Sequence, residues 1–168
     1  EEIIADSGYG SEQNYQYLEE HQIEAYVKYT YFHQQQRKNY AKKRPFHVSQ
    51  LHYNADEDYY VCPMGQKMEH IGKRTRKTAS GYTQQLSRYQ AQNCEGCPLR
   101  ASCHKSKQNR IIEVNHQLNQ YRQQAKEKLN SEQGIKRRKK RPCEIEAVFG
   151  ILKQNRKFTR ASLRGLQK

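Results

Sequence analysis

The chain has 168 residues, is only 34% apolar, and carries a formal charge of +14 with 13 tyrosines. No run approaches the roughly 18 apolar residues that a bilayer-spanning helix requires, so a membrane protein is not expected. So large a cationic excess self-repels unless an anion absorbs it. Nucleic acid is the usual candidate, because neutralised phosphates supply most of its affinity.

The length suits one ordinary domain, or one small domain with an insertion. The sequence opens at Glu1 on the strand-like run Ile3-Ile4-Ala5 and stops at Lys168 among Leu163 and Leu166. It is therefore expected to be part of a larger fold. The thin apolar share predicts small cores rather than one large one, with tyrosine rings filling part of the deficit.

Residues 2–5 read as a buried strand. Asp6-Ser7-Gly8-Tyr9-Gly10 is turn chemistry, and Ser7 or Ser11 can cap the helix that follows, with Glu12 in its first turn. Tyr15 and Leu18 give that helix an apolar side, and His21-Gln22 ends it. Residues 23–29 alternate with period two, as a second strand does, which predicts a parallel strand–helix–strand unit. Residues 30–50 show no clear period. Residues 51–62 and 82–92 predict short hairpins, with turn signals at 54–58 and Ser80-Gly81. Residues 110–114 read as a strand and 116–130 as a helix. The basic run Lys136 to Arg141 is expected to lead into a helix at about 143–157.

Two acids stand out. Asp6 closes a strand, and in α/β sheets chemistry gathers at the carboxyl ends of strands. A strand-end Asp that only closes a turn is the ordinary alternative. In the helix expected at about 143–157, Ile145, Val148, Phe149 and Leu152 form an apolar stripe, while Glu146, Gly150 and Lys153 form a second stripe along its edge. That edge offers an acid, a gap and a base, which suits a metal-bound carboxylate beside a phosphate-holding lysine. A plain surface Glu fits equally well. Lys136, Arg137, Arg138, Lys139, Lys140 and Arg141, with Lys157 further on, are candidates for the DNA backbone. A solvated charge run is the ordinary alternative.

Cys62, Cys94, Cys97 and Cys103 follow the spacing C-x31-C-x2-C-x5-C. Two residues between Cys94 and Cys97 let both thiolates reach one ion, and four thiols beside a thin core favour structural Zn2+. Free thiols, an iron–sulfur cluster or a redox pair are the alternatives, and His104 could replace Cys103. Cys143 stands apart. The remaining histidines are scattered and are expected at the surface.

The string Ala5-Asp6-Ser7-Gly8-Tyr9-Gly10-Ser11-Glu12-Gln13-Asn14-Tyr15 resembles the surroundings of the second catalytic Asp of DDE transposases from bacterial insertion sequences. Ile145-Glu146-Ala147-Val148-Phe149-Gly150-Ile151-Leu152-Lys153 resembles their final helix. Cys62-Pro63-Met64-Gly65, Cys97-Pro98-Leu99-Arg100, Arg110-Ile111-Ile112-Glu113-Val114-Asn115 and Leu163-Arg164-Gly165-Leu166 resemble the cysteine-bearing subgroup. In one respect the chain departs from that pattern: Pro142 stands where an Arg often precedes the Glu.

The resemblance implies an α/β fold: a partial ribonuclease H-like core with a cysteine-bearing, mostly β insertion. Residues 1–29 would belong to the core, 30–130 to the insertion, and 131–168 to the basic run and catalytic helix. Asp6 and Glu146 would hold catalytic Mg2+ or Mn2+, and Lys153 would touch a phosphate. The family's first Asp would lie upstream, so this chain would be inactive alone. The expected partners are the ends of the element, target DNA and a second copy in the full-length protein. The expected setting is a bacterial cytoplasm. Three rivals stay open here: a non-catalytic zinc-stabilised DNA-binding fragment, an inactive transposase remnant, and a scaffold built on its zinc site.

Overall fold

The computed structural model describes residues 2–141 and Ile151. Strands β1 (Glu2–Ala5) and β2 (Glu24–Val27) pair in parallel, with Ile3 opposite Ala25 and Ala5 opposite Val27. Helix α1 (Glu12–Glu20) joins them, as the order of sequence signals predicts. Its cap is Ser11, whose hydroxyl accepts the Asn14 N–H at 3.2 Å. Tyr15 turns inward from α1, donates to the Val27 carbonyl at 3.0 Å, and stacks on Tyr121 at 5.8 Å.

Tyr121 lies on α5 (His116–Asn130), capped by Asn115, whose side chain accepts the Leu118 N–H. This helix packs on β2 and α1. It closes two small cores: Tyr15, Val27 and Tyr121 in one, and Tyr26, Tyr29, Phe32 and Leu129 in the other. Two short helices, α2 (Phe32–Gln35) and α3 (Tyr40–Lys43), follow β2.

The second layer is a five-stranded antiparallel sheet in simple meander order. Its strands are β3 (His52–Asn54), β4 (Tyr59–Val61), β5 (Lys67–Lys77), β6 (Thr83–Ala91) and β7 (Ile111–Val114). The core of this sheet is Tyr60, Met68, Tyr89, Ala91, Cys94, Ile112 and Val114. Helix and sheet thus occur together, in keeping with an α/β chain that carries a mostly β segment.

Two expectations need correction. Strand β5 has no counterpart in the sequence reading, because Met68 is its one buried residue. The cause is geometric: β4 pairs only with Lys67 to Glu69, so most of β5 has β6 as its sole partner and stays wet. The basic run, expected only as a lead-in to a later helix, is itself helical: it lies wholly within α6, which spans Glu132–Arg141 and packs against α5, β1 and β2. Ser131 starts this helix, its hydroxyl accepting the Gly134 N–H at 3.1 Å. The sequence carried that cap signal, Ser131-Glu132, ahead of the charges.

Buried polar contacts tie the layers together. The Glu12 carboxylate, only 5% exposed, accepts from Gln84 Nε2 at 2.8 Å and Asn115 Nδ2 at 2.6 Å. The Tyr82 hydroxyl donates to Gln16 at 2.6 Å. Gly10 permits a close approach that sets the loop after β1: a Cβ there would overlap the Lys28 carbonyl and lie 2.8 Å from the Tyr29 Cα. Gly10→Ala is therefore expected to cost about 1–3 kcal/mol, the usual penalty for overpacking against backbone. Urea unfolding should show a lower midpoint at unchanged slope. An unshifted midpoint would mean the loop yields freely.

Candidate functional site

Because Ala5 and Val27 are in register, the next residues, Asp6 and Lys28, leave the carboxyl ends of neighbouring strands together. Asp6 keeps an extended backbone and enters a tight turn over Ser7–Tyr9, its carbonyl accepting the Tyr9 N–H at 3.0 Å. Its carboxylate makes no capping bond and lies 3.6 Å from Lys28 Nζ, with half its side-chain surface exposed. The turn-closing role thus falls to the backbone, and the side chain faces a cation.

Beside this pair lies a hollow of about 470 Å3 lined by Lys28, His33, Ile135, Arg138 and Lys139. It brings the end of β2, helix α2 and helix α6 to one place. Arg138 sits 5.1 Å from the Phe32 ring, and its Nε is buried with no hydrogen-bond partner. Desolvation, followed by the charges of Lys28, Arg138 and Arg37, holds the His33 imidazole below its ordinary value. His33 is therefore largely neutral near pH 7 and can accept or donate one hydrogen bond. An acid beside a cationic hollow can hold a hard divalent cation through oxygen while the cations hold a phosphate.

The basic run is not uniform. Arg137 pairs with Glu2 at 2.7 Å and Arg138 packs on Phe32, whereas Lys136, Lys139 and Lys140 lie at the exposed surface. Arg141 ends α6. Glu146, Lys153, Lys157 and Cys143 lie outside the described residues. So do the helix expected at 143–157, Ile151 apart, and the expected meeting of Asp6 with Glu146.

The four remaining cysteines come from three separate turns to line one small cavity of about 20 Å3, with His104 and Arg110 in its wall. Cys62 follows β4, and its carbonyl accepts the Gly65 N–H at 2.9 Å. Cys94 and Cys97 flank Gly96, whose φ of +67° bends the turn back on itself. Cys103 ends α4 (Arg100–Cys103). All four are free thiols. The 8%-exposed Arg110 donates from Nη1 to Cys103 Sγ at 3.0 Å and from its backbone N–H to Cys94 Sγ at 3.4 Å. Its other described guanidinium contact is the Phe46 carbonyl. Both ring nitrogens of His104 are buried without partners.

The donor set suits a soft or borderline ion, and a void of this size holds one water-sized body. Yet among the described residues no three His, Cys, Asp or Glu side chains stand as ligands of one ion. The thiols share a cavity wall without sharing a coordination centre.

Sequence reasoning missed Lys28, His33 and Arg110, and it misplaced His116. That histidine is not a bystander at the surface. Its Nε2 lies 2.7 Å from the Tyr89 hydroxyl, which donates to Asp58 at 2.6 Å. His116, Tyr89 and Asp58 come from a helix, a strand and a turn, so no local spacing could reveal them. Lys28 had a signal, falling near the end of the strand 23–29 predicted to lie parallel to the one that Asp6 closes.

Among the described residues, no helix is long and apolar enough to cross a membrane. The sequence profile of the family described as Transposase DDE domain matches residues 61–168, well over half of the chain. The chain belongs to this DDE transposase family. It is thereby grouped with DNA-recombining enzymes whose substrate is DNA and which generally use Mg2+ or Mn2+. The matched stretch holds the cysteines and Glu146, while Asp6 lies ahead of it. No curated protein and no solved structure matches the chain.

Proposed function

We infer that this protein supplies two carboxylates, Asp6 and Glu146, to the DNA-cutting centre of a bacterial insertion-sequence transposase built on a ribonuclease H-like core. The observation that carries the reading is Asp6 itself: a partly exposed carboxylate at the carboxyl end of a parallel strand, 3.6 Å from Lys28, which lines a cationic hollow.

When bound, divalent ions would activate the attacking oxygen and stabilise the leaving one during strand cleavage and strand transfer. Asp6 would orient those ions from the strand side and Glu146 from the final helix. Lys28, His33 and Arg138 would hold phosphate oxygens beside the cut, with Lys153 adding a point charge. Lys136, Lys139, Lys140, Arg141 and Lys157 would track the DNA backbone, contributing position rather than sequence choice. Arg137, tied to Glu2, would hold α6 against β1.

In this reading residues 1–29 belong to the catalytic core, 30–130 form the insertion, and 131–168 carry the basic helix and the catalytic helix. The working protein is a homodimer in the bacterial cytoplasm. The four thiols hold structural Zn2+, supported by the buried Arg110 charge, which needs anionic thiolates to offset it, and by the unpartnered His104 ring. The thiols have to turn toward one centre to do so.

Iron-directed backbone cleavage tests the carboxylate pair. Fe2+ substituted for Mg2+ and supplied with hydrogen peroxide and ascorbate generates hydroxyl radicals that cut peptide bonds near the bound ion. Cuts are expected close to residues 6 and 146, suppressed by excess Mg2+ and lost in Asp6→Ala. Cuts confined to the cysteine stretch would end the proposal.

A further inference from the structure

Between Asp6 and helix α1 the chain has no core of its own, since Ser7, Gly8 and Tyr9 are all exposed. The turn is bound mainly to itself and to the start of α1. The Tyr9 N–H donates to the Asp6 carbonyl at 3.0 Å, the Gly10 N–H to the Ser7 carbonyl at 3.3 Å, and Asn14 Nδ2 to the Tyr9 carbonyl at 2.9 Å. Such bonds fix the shape of a turn but not its place. Its near end is set by β1, and its far end goes where the first turn of α1 goes.

That first turn is held by Glu12, the first residue of α1 and one of the few buried charged side chains among the described residues. A carboxylate taken out of water is costly unless donors meet it. Here the amino end of the helix and two amides do so. Both amides, from Gln84 on β6 and from Asn115 between β7 and α5, reach the same oxygen, Oε2. Asn115 works in two directions, because its Oδ1 also caps α5 at 2.8 Å. The chain leading into β6 adds two further bonds to α1, from the Ser80 hydroxyl to Gln13 at 3.0 Å and from the Tyr82 hydroxyl to Gln16. Ser80, Tyr82 and Gln84 alternate along the chain, which brings all three to the side that meets the helix.

We propose that Glu12 is a positioning residue for strand cleavage: by binding β6 through Gln84 and the start of α5 through Asn115, it sets where the Asp6 carboxylate stands. The proposal rests on Asp6 being a metal-holding acid, as inferred above, and adds that the five-stranded sheet takes part in aligning it. Glu12 itself holds no ion in this role. Its part is to keep the amino end of α1, and with it the Asp6 turn, from drifting.

The test is single-turnover cleavage by the full-length transposase across a Mg2+ titration, with DNA affinity and circular dichroism measured alongside. Glu12→Ala is expected to lower cleavage about 100-fold, the order that a misplacement of about 1 Å costs, and to raise the Mg2+ concentration giving half the maximal rate. Gln84→Met keeps length and burial, removes only the donor, and should lower cleavage about 10-fold. DNA affinity should hold in both. The double variant should be no slower than Glu12→Ala, because the two act through one contact. Glu12→Gln keeps an oxygen for both amides and should restore most of the lost rate. A Gln variant as slow as the Ala variant would overturn the proposal, making Glu12 a charge that acts directly. Unaltered rates, additive losses, or losses matched by the unfolded fraction in both Glu12→Ala and Gln84→Met would overturn it as well. Asp6→Asn is run beside them: full cleavage by that variant would overturn the metal-holding reading, and this proposal with it.

Discussion

Asp6→Asn and Glu146→Gln are each expected to lower Mg2+-dependent strand cleavage by the transposase about a thousandfold or more while leaving DNA affinity nearly unchanged. The substitutions keep size and shape but replace one carboxylate oxygen by an NH2 donor and remove the negative charge that a hard cation needs. A metal pair in this chemistry contributes several kcal/mol of charge stabilisation in the transition state, and each 1.36 kcal/mol is about tenfold in rate. DNA affinity comes from the cations and should persist. Asp6→Asn also removes the charge facing Lys28 at 3.6 Å, a contact half open to water and hence of little consequence for stability. Single-turnover nicking assays with paired binding titrations separate the two effects. Cleavage within about tenfold of the unaltered enzyme in both variants would leave Asp6 as a turn residue and Glu146 as a surface acid.

Removal of metal from the cysteine site is expected to unfold the five-stranded sheet while α1, β1, β2 and α5 persist. Structural zinc in small domains contributes about 10–16 kcal/mol at neutral pH, more than a sheet with so thin a core can replace. The sheet's apolar core is seven residues, three of them Tyr or Cys. Cys94 belongs to it at 8% exposure, so losing its place exposes the end of β6. Arg110 makes the dependence sharper. Without thiolates its guanidinium stays buried with carbonyl and thiol partners alone, and an uncompensated buried charge costs several kcal/mol. Cys94→Ser should reproduce the effect of chelation. Elemental analysis of reduced protein should give one zinc per chain, and hydrogen exchange should show protection lost from β3 to β7. Protein that carries no zinc and keeps its sheet under chelator would reduce the cavity to a cluster of packed thiols.

Several parts of this molecule could be read directly from neighbouring residues. Ser11 before Glu12 marks the start of α1, and the alternation after Ile23 marks β2. The parallel pairing then follows from the length of the connection. Asn115 before His116 marks α5. The close spacing of Cys94 and Cys97 predicts that they share a turn, and they do. Each of these signals acts over four residues or fewer, through caps, periodicity and turn geometry, so the amino-acid string carries it whole.

Other parts depended on which distant segments meet. The same string Lys67–Lys77 would be loop without β6 beside it, since hydrogen bonds to a partner strand and not buried side chains hold it extended. Lys136 to Arg141 read as a basic run for DNA or a solvated charge run, but Glu2 and Phe32 give two of its arginines a place on the core, and the run is helix. Lys28 and His33 join Asp6 only because β1 and β2 run in register and α6 folds back over them. Sequence determined the local elements and the inventory of acids, thiols and cations. Tertiary structure alone decided which charges face one another, because burial and electrostatic pairing depend on distance through space, which position along the chain does not encode.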